Sequence, residues 1–196
     1  MTGKNIILAL SMKEQLLEDI KTTLQKTKVE LLAQIAVKQA DAIKDIIDLT
    51  FYSEEQIGFR AAWILENIYI NNPQNFVPYV NYFLDNFSRQ NNLSARRHFG
   101  KILALLTKKN APQEIKAALA KYDTEKLVET AFAWLIDENV PVAIKSHCLN
   151  ILANLSAKHP WVKAELLETM DYLVDKESIA FFAKAKQIRK QLKSLH

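Results

Sequence analysis

A chain of 196 residues is the length of one domain, and its three scattered glycines cannot form a phosphate-cradling loop. One cysteine, Cys148, rules out a disulfide within the chain, and four histidines (His98, His147, His159, His196) without His-Glu-x-x-His spacing offer no zinc site. The net charge of +4 is uneven: residues 176–196 carry six cations against Glu177, which leaves −1 for the preceding 175 and excludes a uniformly basic nucleic-acid surface.

The apolar run Ile6–Leu10 is far too short to span a membrane and poor as a signal sequence. With a lone cysteine on a core face, the expected setting is reducing and cytoplasmic. Ser11-Met12-Lys13-Glu14 reads as a capping box that starts a helix at about residue 12, with Leu16, Leu17, Ile20 and Leu24 as its stripe. From Val29 to Phe51 the pattern is helical throughout (Leu32, Ala36, Ala40, Ile43, Ile46, Ile47), as one long helix or as two joined near Gln39. Glu54–Pro73 follows, with Ile57, Ala61, Ile64, Leu65 and Ile68 on one face of a 3.6-residue helix and Asn72-Pro73 as its stop.

Asn75–Ser88 reads as a single helix with Val80, Phe83, Leu84 and Phe87 inward, where Pro78 is tolerable only near the first turn. Leu93–Lys108 is its partner. A short helix over Pro112–Lys121 precedes Thr124–Ile136, which pairs with Val140–Ala157. Pro160–Val174 then pairs with Ser178–Leu195, whose cations near the C-terminus suit the helix dipole. Pro73, Pro112, Pro141 and Pro160 stand where helices should begin or end, and no segment alternates with period two over strand length. The fold expected is all-α.

The core template of Glu54–Pro73 recurs. Ala95, Phe99, Ile102, Leu103 and Leu106 match it at an offset of 38, and Ile144, Cys148, Ile151, Leu152 and Leu155 at a further 49. Phe181, Ala185, Ile188 and Leu192 match at a further 37, with Arg189 the one break. Recurrence every ~40 residues marks stacked helix pairs that cover their apolar faces only against neighbours. An ordinary bundle with a shared heptad-like pattern is the alternative.

The chain thus resembles a HEAT/armadillo-type α-solenoid, a right-handed superhelix of about four to five repeats. The resemblance covers residues 39–196 and, less closely, the N-terminus. It implies one domain over 1–196, with capping helices at about 12–38 and repeats at about 39–73, 74–110, 111–159 and 160–196. Within it, Arg60-Ala61-Ala62-Trp63-Ile64-Leu65-Glu66-Asn67-Ile68 is similar to the AAWxLxN run of importin-α-like armadillo repeats. That resemblance implies a concave surface on which Asn67 bonds the backbone of an extended peptide and Trp63 forms a slot for its side chains. Trp63 and Asn67 are the one complete pair; the later repeats place Lys101 and Leu105, then Asn150 and Asn154, in the same columns.

On a helical wheel Arg60, Trp63 and Asn67 fall together, beside the core direction. Their counterparts are His98 and Lys101; then His147, Asn150 and Asn154; then Lys184 and Gln187. Two readings stand: a polar, partly cationic stripe that meets a ligand, or bridges between repeats with Trp63 packed between helices. Cys148 and His147 are adjacent on a helix and cannot face each other as a nucleophile pair, and Asp137-Glu138 read as helix-end charges. Trp134 and Trp161 read as fillers of core or inter-repeat gaps. No catalysis and no cofactor are expected. The partner expected is a protein or an extended peptide, bound by a scaffold on its concave surface. The alternative is nucleic acid, held by the basic C-terminal helix and the Arg60, His98, His147, Lys184 column as in duplex-cradling DNA-glycosylase relatives.

Overall fold

The structure, a computed structural model, describes residues 12–194, so Ser11 of the expected capping box and the run Ile6–Leu10 lie outside the described residues. Twelve α-helices and one 3-10 turn account for the regular structure there, with no strand among the described residues. The first is α1 (Met12–Lys21), followed by α2 (Lys26–Ala36) and α3 (Ala42–Leu49). The stretch from Val29 to Phe51 is therefore two helices. Asp41 supplies the joint: it takes φ 60°, a left-handed conformation that Asp tolerates better than most side chains, and so ends one axis and starts another.

α4 (Glu55–Asn71) carries the first copy of the repeat template. After it the expected single helix over Asn75–Ser88 is broken into α5 (Pro73–Phe76), a 3-10 turn (Val77–Tyr79) and α6 (Val80–Phe87). Pro78 is the cause. It has no N–H to give to the Gln74 carbonyl and its ring crowds that oxygen, so the α-helical ladder cannot pass through it. The inward positions of α6 are unaffected, with Val80, Phe83, Leu84 and Phe87 all buried.

The remaining helices are α7 (Leu93–Leu106), α8 (Gln113–Lys121), α9 (Glu125–Ile136), α10 (Val142–Leu155), α11 (Pro160–Val174) and α12 (Ile179–Lys193). α3 packs on α4, α9 on α10 and α11 on α12, while α6 meets α7 through Phe83 and Phe99, whose ring centroids are 4.9 Å apart. The second members pack on one another in order: α2 on α4, α4 on α7, α7 on α10, α10 on α12. This succession of pairs, without one central core, makes the molecule an α-solenoid. The wide interval of 49 residues between two template copies holds α8, which packs on α6 and leaves α7 and α10 in direct contact.

All template positions are buried, from Ile57 and Ile64 in α4 through Phe99, Cys148 and Leu152 to Ile188 in α12. An aromatic chain threads the first two pairs. Tyr69 meets Phe76 at 5.3 Å, Phe76 meets Phe83 at 5.6 Å, and Phe87 meets Trp134 of α9 at 4.8 Å, with the Arg96 guanidinium over the indole. Trp134 thus fills an inter-repeat gap. Trp161 does not: about half of it (49%) is exposed, and it lies stacked on Phe132 at the surface.

Polar side chains fasten the pairs. Lys158 reaches back from the end of α10 to the carbonyls of Leu119 (3.1 Å) and Tyr122 (2.6 Å), a cation on the C-terminus of α8. Asn92 caps α7 by accepting from Ser94 and Ala95, and its amide donates to the Glu55 carbonyl at the start of α4. Lys145 of α10 is 1% exposed and its ammonium is paired with Glu177 in the α11–α12 turn.

Candidate functional site

Along the exposed side of the α4, α7, α10 row lies a cleft of about 480 Å³ lined by side chains of all three helices. α4 contributes Phe59, Trp63 and Glu66, spaced four and three apart and so on one face. The two rings stack at 6.2 Å with 25° between planes, and Phe59 also tilts against the His98 ring at 5.4 Å. α7 contributes Arg97, His98 and Lys101, and α10 contributes His147. Gly100 brings the last two helices close: a Cβ there would stand 3.1 Å from the Cβ of His147. Even an alanine there would require the His147 side chain to give by a few tenths of an ångström.

Glu66 is the hub of the cleft. Its carboxylate accepts from Nδ1 of His98 at 2.7 Å and from the Lys101 ammonium at 2.6 Å. Burial alone would raise its pKa, but the hydrogen bonds and positive charge of these two neighbours outweigh it and hold the carboxyl below its ordinary value. The opposite balance governs His147, whose burial pushes the imidazole down to about 4 despite the Glu66 charge, so the ring is neutral at pH 7. Next to it, Cys148 is buried in the core and its thiol is pushed up to about 12 by burial, an unreactive state.

The predicted stripe is divided by the structure. Trp63, His98, Lys101 and His147 come together in the cleft. Arg60 turns the other way and caps α1, with Nη1 donating to the carbonyls of Ile20 (2.9 Å) and Lys21 (2.7 Å). Asn67 lies in a separate depression with Glu30, Gln34, Asn71 and Asn72, and accepts from Asn71 at 3.2 Å. Asn150 donates within its own helix to the Ser146 carbonyl. Asn154 is a bridge: it donates to the Ala104 carbonyl (3.2 Å) and Thr107 Oγ1 (3.1 Å) of the α7 end and accepts from Gln191 of α12 (3.0 Å). Lys184 bonds Gln187 on α12 at 2.9 Å, and burial lowers its pKa.

Three lining residues are absent from the predicted stripe: Phe59, Glu66 and Arg97. The signal for Glu66 was its place three residues after Trp63, with opposite sign to the cationic column of the next helix. Phe59 carried the equivalent signal four residues earlier. Arg97 had none, since it stands next to His98 and only the approach of α10 brings it to the rim.

A one-dimensional stack of helix pairs with an open cleft across three of them defines the class as a helical-repeat solenoid. Residues 13–192 match the family model for the HEAT repeat domain, and the chain belongs to the HEAT repeat family. No curated protein matches it. Among solved structures it is similar to an engineered protein at 18% identity and a TM-score of 0.44, over 94% of this chain and 100% of that one. A second engineered protein matches at 16% identity and 0.42, over 94% and 98%. A computationally designed armadillo repeat protein for modular peptide recognition matches at 17% and 0.34, over 92% and 99%. Among the described residues no helix is long and apolar enough to cross a membrane.

Proposed function

We propose that this HEAT repeat chain is a non-catalytic interaction scaffold that holds a peptide or an extended segment of a partner protein along the concave side of its second helices. The observation that carries the reading is the cleft shared by α4, α7 and α10, with a partly exposed Trp63 among charged side chains. An indole with one free edge gives large contact area at low conformational cost, the character of an interface anchor. Of the groups near that surface, the Cys148 thiol is buried and the Glu66 carboxylate is held by two donors.

The test is crosslinking in the cells of origin with wild-type protein and with Trp63→Ala, which removes the indole while Phe59 and Glu66 stay. Partners lost from the variant while it still melts cooperatively are the expected result; because Trp63 packs partly against the core, a lower melting temperature accompanies the change. An identical partner profile for the two proteins would refute the cleft as the binding surface.

A further inference from the structure

The charges around the cleft do not cancel. Arg97, Lys101 and Lys184 all lie close enough to His147 to act on its ring electrostatically, and Glu66 is the anion that opposes them. Among the lining residues, Arg97 and Lys101 against Glu66 leave a surplus of one positive charge at a partly enclosed site, where it is screened less than on open surface. Lys101 is spent on Glu66. Arg97 is different: it is exposed at the rim, and among the described residues it makes no hydrogen bond or ion pair. A guanidinium presents a planar fork of donors that matches a carboxylate in two parallel bonds. The stacked Phe59 and Trp63 form the facing wall, apolar and flat.

We infer that the cleft takes an acidic linear peptide, with an Asp or Glu carboxylate on Arg97 and an aromatic or apolar side chain of the same segment against Trp63. The inference rests on the scaffold reading above and names its ligand. A volume of about 480 Å³ admits two or three side chains, which suits such a pair. A polyphosphate strand fits the site less well. It would need a continuous row of free cations, whereas Glu66 lies in the middle of this one and Arg60 is turned to the carbonyls of α1.

The probes are three fluorescein-labelled 12-residue peptides built on one Phe-containing core, with flanking Asp/Glu, Lys/Arg or Ser/Asn, and a labelled 12-base-pair DNA duplex. Each is titrated by fluorescence polarisation at low and at physiological salt. The expected order puts the acidic peptide about tenfold or more ahead of the others, and Arg97→Glu abolishes that lead. Arg97 has no partner to lose, so the variant keeps the wild-type melting curve. Arg97→Lys, with charge but no fork, falls between. If the basic or neutral peptide binds best and Trp63→Ala weakens it, the scaffold reading stands and the acidic ligand is wrong. If the duplex binds best with a steep salt dependence, or if the acidic peptide binds equally to wild type and Arg97→Glu, the inference is overturned. If no probe binds, the inference fails, and the scaffold reading is then judged by the crosslinking.

Discussion

His147 shows how one position can serve packing and surface together. Its Cβ stands against Gly100, and its ring lines the cleft under the influence of Arg97, Lys101 and Lys184. Because the folded imidazole is pushed down to about 4 from an ordinary 6.5, the unfolded chain takes up a proton that the folded one refuses. The contribution is absent above pH 6.5. Stability should fall as pH drops from there toward 4, by at most about 3 kcal/mol in total at 1.36 kcal/mol per pKa unit. Denaturant midpoints at half-unit steps between pH 7 and 4.5, for wild type and His147→Gln, measure it. The variant should show a flatter profile, and equal slopes would mean that the ring is not held neutral. Residue-level roles were only half legible in the sequence. A helical wheel assigns a direction within one helix, and on that basis Trp63, His98, Lys101 and His147 were found. It does not say which neighbour arrives on that side. Arg60 and Trp63 share a flank, yet one meets the end of α1 and the other an open cleft.

Helices were the most legible level, since core positions spaced by four, three, one and three leave no other way to gather apolar side chains on one face. What escaped was the break at Pro78 and the exposure of Trp161. The first depends on a ring clash with one carbonyl, and the second on how far α11 leans over α9; hydrophobic spacing records neither. Contacts between elements were equally hidden, and two of them bear heavily on stability. Lys145 of α10 is buried, with Glu177 as its only ionic partner among the described residues. Glu177→Gln leaves that ammonium without a counter-charge away from water and should cost about 3–5 kcal/mol, whereas Lys145→Met leaves the carboxylate of Glu177, which at 16% exposure reaches water, and should cost less. Thermal melts of the two variants check the order; if both lose the same amount, the buried charge is not the cause. Asn154 joins three helices through its bonds to the α7 end and to Gln191. Asn154→Ala deprives the Thr107 hydroxyl and the Gln191 amide of a partner, at roughly 1–3 kcal/mol. Chemical denaturation of that variant gives the figure, and a change within about 0.5 kcal/mol would mean that water replaces the bridge.

At the scale of the molecule, stability should vary along the stack because each pair leans only on its neighbours. α7 is held between α4 and α10 and carries Phe99, which touches Phe51, Phe83 and Phe87. α12 has α10 and α11 on one side, and on the other exposes Ile179 and Phe182, with Ile179 at 88%. α1 has α3 and α4 alone among its main contacts. In a nearest-neighbour stack the end units open at lower free energy than the middle ones, since opening an end breaks one interface and opening the centre breaks two. Native-state hydrogen exchange should therefore protect amides of α4, α7 and α10 most, with α1 and α12 exchanging first. Phe99→Ala, which removes the ring at the junction of the first two pairs, should cost about 3–5 kcal/mol and narrow this gradient by bringing the centre down toward the ends. The cleft sits on the three helices expected to be best protected, so peptide binding would act on a surface that is already ordered, with little entropy lost at the wall. Uniform protection from α1 to α12, collapsing in a single step in both proteins, would contradict a succession of near-independent pairs and point instead to one cooperative core.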